Sequence, residues 1–503
     1  MLIDIVRSKE YKSEKLANKY LGVTSNYIKL YENLIGPYPY TKFALVENFW
    51  ETGYGMPSFT LLGEKVIRFP WILHSSYPHE LLHNYWGNSV FVDYESGNWC
   101  EGITVYMADH LIKEQQGAGA DYRRTSLQKF TDYVNEENDF PLTQFLSRSN
   151  SAEEAIGYGK SMMLHNMLRY EFGDEVFLKS FSKFYTENKF RRASFDDIRK
   201  SFEAVTGQNL QAFFDQWIKR KGAPSLELSG INVISENEKH ILQFKLAQIQ
   251  KEEVFNINVP VVVYLENKDS VKHEKVTMNS KEMELSFTYE NRPLRVEIDP
   301  EFNIMRRLNR NEVPASLSQI YGEKQGVMIL PKESKHISAY KALAEMWKQT
   351  QEAQEKTLEI IFDDEVKSVP SDKAVWIVGF DNKFADFINI SEKYKTHFDI
   401  ETANKMQKLK ENGALVFAHS NPENSEHTVG FLGANNDAAI NALARKLLHY
   451  GKYGYLGFES EKATNVLKGS LPALDSPLNI TIEYNDETIE IKSKIIPRKA
   501  LGK

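Results

Sequence analysis

The sequence has a single cysteine, Cys100, so no internal disulfide can cross-link it. One cysteine in a chain this long fits a reducing cytosol and an envelope compartment alike, so the count leaves location open. No apolar run approaches the roughly 20 residues that a membrane-spanning helix needs. An excess of basic charge is also missing: 62 Lys and Arg stand against 69 Asp and Glu, a formal net charge of −7, with the two signs interspersed. Without a basic stripe there is no electrostatic footprint for nucleic acid, and acidity of this size mostly serves solubility. The opening stretch MLIDIVRSKEYKSEKLANKYLG lacks the apolar core of a secretory signal. Taken as complete, the chain is expected in the cytoplasm; taken as part of a longer product, an envelope or secreted location stays open.

At 503 residues the chain exceeds what one hydrophobic core sustains, and about two to four domains are expected. From about residue 10 to 35 apolar positions recur at helical spacing, through Leu16, Tyr20, Leu21, Tyr27, Leu30, Tyr31 and Leu34, until Gly36 and Pro37 end the helix. Residues 43–49 and 59–68 read as strands flanking a glycine-rich turn, ETGYGMPS, and helices dominate from about 76 to 221. After Gly222-Ala223-Pro224 the texture changes to short, alternating, β-branched segments, the pattern of a β-sandwich at 223–310. From 320 to 503, strand-like runs such as AVWIVGF and GALVFAH alternate with helical stretches, which predicts an α/β domain of unassigned role. Within it, Lys446–Tyr455 is dense in aromatics and cations, which suits either a binding surface or, more often, packing around a helix end closed by Gly451.

One motif carries chemistry. His79-Glu80-Leu81-Leu82-His83 is an HExxH sequence. Two histidines four residues apart lie on one face of a helix about one turn apart, so both imidazoles can reach one zinc ion. Glu80 projects beside that face, placed to take a proton from water without binding the metal. Ser75 or Ser76 can cap the helix and Gly87-Asn88 can stop it. Glu101, eighteen positions after His83, opens a further helix and can return a carboxylate to the open side of the pair. The bland alternatives are a surface helix with two ordinary histidines, and a capping box over Asn98-Trp99-Cys100-Glu101.

These residues resemble the zinc aminopeptidases of the gluzincin class, the group of aminopeptidase N and leukotriene hydrolase. The resemblance rests on Gly36-Pro37-Tyr38-Pro39-Tyr40, HELLHNYWGNSV at 79–90, NWCEGIT at 98–104, GYGKSMMLHNMLRYEFGDEVF at 157–177 and FFDQWIKRKGAPSLEL at 213–228, and covers about residues 20–308. It implies a multidomain α+β protein whose residues 1–222 form a thermolysin-like, mainly helical catalytic domain. It further implies one zinc per chain held by His79, His83 and Glu101, Glu80 as general base and proton shuttle, and Tyr158 as the hydroxyl that stabilises the tetrahedral intermediate. A buried core tyrosine is the plain alternative for Tyr158.

The sequence departs from that family in three places. Seventeen residues, not eighteen, separate His83 from Glu101. The family's Gly-x-Met-Glu-Asn segment, whose Glu holds the substrate's amine, aligns with Gly53-Tyr54-Gly55-Met56-Pro57-Ser58 and brings no Glu, although Glu47 and Glu51 lie nearby. There is also almost no room for the family's N-terminal β-rich domain. The expected activity is hydrolysis of peptide bonds in a peptide or protein substrate, aminopeptidase-like, with no nucleic-acid partner and no transmembrane segment. The alternatives are a catalytically silent peptide-binding scaffold and a non-peptide hydrolase on the same fold.

Overall fold

The structure, a computed structural model, describes residues 2–6, 14–266, 271–386, 398–471, 476–484, 491 and 493–502. They fall into two compact units: one contains the chain up to Arg307 together with Leu478 onward, the other is Leu308–Pro477. Both mix helices and strands. Among the described residues no helix is long and apolar enough to cross a membrane.

The first unit opens with a sheet of β1 (Leu2–Val6), β2 (Lys42–Asn48), β3 (Gly53–Met56) and β4 (Phe59–Gly63), in the order β1-β2-β4-β3. Helix Glu14–Leu34 links β1 to its parallel neighbour β2 and buries Ala17, Tyr20, Thr24, Ile28, Tyr31 and Leu34, a single stripe at helical period. Residues 7–13, part of the expected helix at 10–35, lie outside the described residues. The expected turn ETGYGMPS instead contains a strand. β3 folds back antiparallel on β4 through the corner Pro57-Ser58. Proline's fixed φ suits the first corner position, and Ser58 takes φ 70° at the second. The corner is pinned from below, since Ser58 N–H and the Tyr38 hydroxyl both donate to Asn84 Oδ1, at 2.9 and 3.0 Å. The strand expected over 59–68 stops at Gly63, and Val66–Arg68 form a 3₁₀ turn.

Helices follow. Cys100–Val105, Tyr106–His110 and Leu111–Gln115 run on as one helix whose middle portion has the wider π geometry. A second π segment, Ala155–Lys160, joins Ser151–Glu154 to the long helix Ser161–Asn188. These two composite helices touch at Gly102, where a Cβ would stand 1.9 Å from Ser161 Oγ; only glycine permits that approach. The short strands β5 (Phe91–Val92) and β6 (Arg192–Ala193) pair in parallel.

Next come β7 (Leu226–Glu236), β8 (Lys239–Gln248), β9 (Ile257–Leu265), β10 (Val271–Met278), β11 (Glu282–Tyr289) and β12 (Pro293–Ile298). They form two sheets, ordered β11-β8-β7 and β10-β9-β12, and the second is extended by a strand from much later in the chain, Asn479–Thr481, paired antiparallel to β12. The segment from Leu478 onward therefore belongs to this unit, which differs from the expected α/β span of 320–503. Hydrogen-bonding capacity left along β12 is what recruits it.

The second unit holds a seven-stranded sheet. Its third strand, Ala374–Val378, is buried throughout, and parallel neighbours Gln325–Leu330 and Thr428–Ala434 flank it. Trp376 and Val378 face a core shared with helices Ile337–Glu352 and Asp437–Lys446, while Val375 and Ile377 face Leu409 of helix Ile400–Asn412. Strand alternation thus builds a core on each side of one sheet. Tyr450 packs on Phe458, with ring centres 5.6 Å apart, and Lys446 Nζ donates to Ala463 O at 3.0 Å.

Candidate active site

Ser76–Leu82 is a short helix oriented by its own apolar residues: Tyr77, Pro78, Leu81 and Leu82 are buried. That leaves His79, Glu80 and, one position past the end, His83 on the open side. Neither serine caps the helix as the sequence suggested, because Ser75 occupies the N-cap position with its hydroxyl donating to Trp71 O at 2.9 Å. The helix also ends before Gly87-Asn88. The edge strand β3 runs alongside it. A Cβ on Gly53 would stand 3.0 Å from Glu80 Oε1, and one on Gly55 would stand 2.6 Å from His83 Cβ, so glycine at both places lets the strand press against the histidine helix.

Glu101 sits in the first turn of the next helix, and the capping box is not made. Asn98 Oδ1 accepts from the Cys100 N–H at 3.0 Å, and the Glu101 carboxylate turns toward the histidines. His79 Nε2 and His83 Nε2 are 3.2 Å apart, and Glu101 Oε2 lies 3.5 Å from the first and 3.7 Å from the second. Ligand atoms about 2.0–2.1 Å from one ion at tetrahedral angles stand about 3.3–3.4 Å from each other, so this triangle has the size a zinc ion requires.

The remaining ring nitrogens explain why the triangle holds its orientation. His79 Nδ1 is 2.7 Å from Asp109 Oδ2, and His83 Nδ1 is 3.1 Å from the Trp86 carbonyl oxygen. Both partners are acceptors, so each Nδ1 carries the proton and each Nε2 presents a bare lone pair. Glu101 Oε2, buried and without a hydrogen-bond partner, faces those lone pairs. Three acceptors converging with no donor among them are satisfied by a cation.

The electrostatics agree. Burial by itself lowers the pKa of His79, but Asp109, Glu101 and Glu80 carry it well above the ordinary imidazole value. For Glu101, burial raises the pKa, and the neighbouring His79, His83 and Tyr158 bring it down to about 2. The surroundings favour positive charge at His79 and negative charge on the Glu101 carboxylate.

Tyr158 lies in the π segment Ala155–Lys160 and is half-buried, next to Glu101. Burial, and then the Glu101 charge, raise its pKa, which keeps the phenol protonated as a donor. A cavity of about 820 Å³ opens here, lined among others by Gly53, Glu80, His83, Glu101, Asp109 and Tyr158. Glu47 and Glu51 are not among its lining residues. Glu47 pairs with Arg68 at 3.0 Å, and Glu51 accepts from the Lys65 N–H at 2.8 Å.

Asp109 is the residue that sequence reading missed. It lies eight positions after Glu101, which in a regular α-helix overshoots two turns by about 80°. The π turn over Tyr106–His110 absorbs the surplus residue and returns Asp109 to the histidine side. The signal present in the sequence was an acid on the Glu101 helix, but nothing local announced the π turn.

Residues 74–217 match the peptidase family M1 domain. Relatives in this comparison include Aminopeptidase 2, mitochondrial, of Saccharomyces cerevisiae, 26% identical over 217 residues, which covers 41% of this chain and 22% of that protein. Aminopeptidase M1 of Arabidopsis thaliana is 26% identical over 164 residues, 29% of this chain and 17% of that one. The chain thus spans about a fifth of the length of these curated relatives. Among solved structures, Legionella pneumophila aminopeptidase A in complex with aspartic acid aligns over 71% of this chain and 41% of its own, with a TM-score of 0.49 and 16% identity.

Proposed function

We propose that this chain hydrolyses peptide bonds in a zinc-dependent reaction. His79, His83 and Glu101 hold the zinc, Glu80 is the general base, Tyr158 is the oxyanion donor, and the thermolysin-like catalytic part lies before about residue 222. The observation that carries the reading is the convergence of two imidazole lone pairs and the partnerless Glu101 oxygen, with both opposite ring nitrogens occupied by acceptors. A zinc ion bound there supplies Lewis acidity, which acidifies water and polarises a carbonyl.

The protein residues divide the remaining work. Glu80, carried by the histidine helix into the same cavity, accepts the proton of the attacking water and delivers it to the leaving amine. Tyr158 keeps its proton and donates a hydrogen bond to the carbonyl oxygen as negative charge develops there. Asp109 and the Trp86 carbonyl hold the imidazoles in one tautomer and orientation. Edge strand β3 borders the cavity with an open side, which suits an extended peptide laid along it.

Metal analysis of the purified chain together with a peptide-library cleavage assay tests the proposal. One zinc per chain is expected. Glu80→Gln should retain that zinc and lose at least about a hundredfold in turnover, at the lower end of general-base contributions of about 10²–10⁴. Absence of stoichiometric zinc under metal-replete conditions overturns the reading, and full activity in Glu80→Gln overturns the assignment of the base.

A further inference from the structure

The charges lining the cavity are unevenly shared. Three carboxylates, Glu80, Glu101 and Asp109, gather around the histidines, whereas the other charged lining residues are Lys129, Arg148 and Glu154. In that second group two cations share one anion: Lys129 Nζ stands 2.6 Å from Glu154 Oε1 and Arg148 Nη1 stands 3.0 Å from Glu154 Oε2. Each carboxylate oxygen is thus taken by a different cation, and the group keeps one positive charge in excess. Glu153, the neighbouring acid, does not compensate it. That side chain accepts from the Ser149 hydroxyl at 2.8 Å and is not among the lining residues.

The group is next to the chemistry. The Arg148 guanidinium lies over the Tyr158 ring, 4.8 Å from its centre, so it is one aromatic ring away from Glu101. Stacking and a single carboxylate contact orient the guanidinium, which has five N–H donors in a planar fork suited to a second, bidentate carboxylate. The side chains of Arg148 and Lys129 remain 52% and 46% exposed, so both heads are open to an incoming ligand. Among the described lining residues no pair of acids is set aside for an ammonium group in the same way. Among the described lining acids, Asp109 is bound to His79, Glu101 faces the imidazoles, Glu154 is shared by two cations, and Glu80 is the proposed general base.

We infer that Arg148 and Lys129 form a carboxylate-binding subsite in the cavity, so that favoured substrates are peptides presenting a carboxylate about one ring's breadth from the scissile bond. The inference takes the ligand to be a peptide and rests to that extent on the proposed activity. The carboxylate has two sources in such a ligand, an acidic side chain or the C-terminus of a short peptide.

The test measures kcat/KM for two matched pairs of alanine-based peptides at low ionic strength: C-terminal acid against amide, and a Glu-containing peptide against its Gln twin. At least one pair should favour the carboxylate by about tenfold or more, as charge-assisted bidentate contacts provide, and the pair that does so identifies the source. Arg148→Met should bring that ratio close to one and Lys129→Met should reduce it; a ratio within each enzyme cancels any general loss of activity. Binding of the same peptides to Glu80→Gln, followed by calorimetry, reads the subsite without turnover. Preferential binding of the carboxylate forms with no cleavage by the wild type supports the subsite and sinks the peptidase reading. Cleavage of all four peptides within twofold of one another, or a preference that survives both substitutions, overturns the subsite and leaves the peptidase reading standing.

Discussion

Both units of this protein bury polar groups, and the HExxH site of the first arranges them differently from the α/β layer of the second. In Leu308–Pro477 three buried polar side chains close on backbone. Asp363 accepts from the N–H groups of Lys332 and Lys383, both at 2.9 Å, Asn382 donates to the carbonyls of Ile329 and Val378, both at 3.0 Å, and Trp347 donates to Ala444 O at 2.7 Å. All but the local Asn382–Val378 bond tie two segments of the α/β layer together. In the first unit the HExxH helix and the Glu101 helix aim three acceptors at one point and supply no donor. Buried polarity alone therefore does not mark a site; convergence of groups that cannot satisfy each other does.

The contrast can be broken or sharpened by substitution, beginning with the largest effect. Trp347 is 2% exposed, with its ring 4.9 Å from Trp376, and Trp347→Ala should destabilise the α/β unit by about 3–5 kcal/mol. Thermal unfolding should show that loss, while turnover per bound zinc at 25 °C stays unchanged because every proposed catalytic residue lies in the other unit. Tyr158→Phe should do the reverse. It lowers kcat by about 10²–10³, the range for one oxyanion donor, with KM, zinc content and melting temperature nearly unchanged. An unaltered kcat would return Tyr158 to the role of a core tyrosine.

Two smaller effects probe how the site is supported. Asp109→Asn removes the charged acceptor from His79 Nδ1 and should weaken zinc affinity about 10–100-fold, as read by competition with a chelator. Retention of full affinity would mean that the His79 orientation is set by packing alone. The smallest difference expected is between a peptide with a free N-terminus and its N-acetylated twin. Pro57 forms a hairpin corner where the amine-holding Glu is expected, Glu47 is tied to Arg68, and Glu51 to the Lys65 backbone. The two kcat/KM values should agree within about tenfold, or about 1.4 kcal/mol. A hundredfold preference for the free amine would show that a carboxylate lining the cavity serves as the anchor.

Much of the architecture was legible because it depends on local periodicity. The stripe from Ala17 to Leu34 appears at helical spacing, the segments between Leu226 and Ile298 alternate as strands do, and the spacing of His79 and His83 puts both imidazoles on one side of a helix whatever surrounds it. Residue chemistry added that a His pair with an adjacent Glu suits a metal and a base.

What the sequence could not announce depends on which segments meet. β3 was hidden inside a glycine-rich stretch because its partner, β4, and the histidine helix beneath it justify the glycines only once all three are packed. The pairing of Asn479–Thr481 with β12 joins residues almost two hundred positions apart along the chain, and no pattern in either segment specifies the other. Glu101 had two local readings, cap or ligand; in the structure Gly102 packs against Ser161 and the Glu101 carboxylate faces the histidines instead of capping its helix. Asp109 and Arg148 acquired their places in the same way, one through a π turn and the other by stacking on Tyr158. Periodicity and residue chemistry are carried by neighbours along the chain, so the sequence alone determined most of the helices and strands and the placing of His79 and His83 on one helix face. Convergence is carried by contacts between distant segments, so only the tertiary structure decided which carboxylates and which cations share the cavity with them.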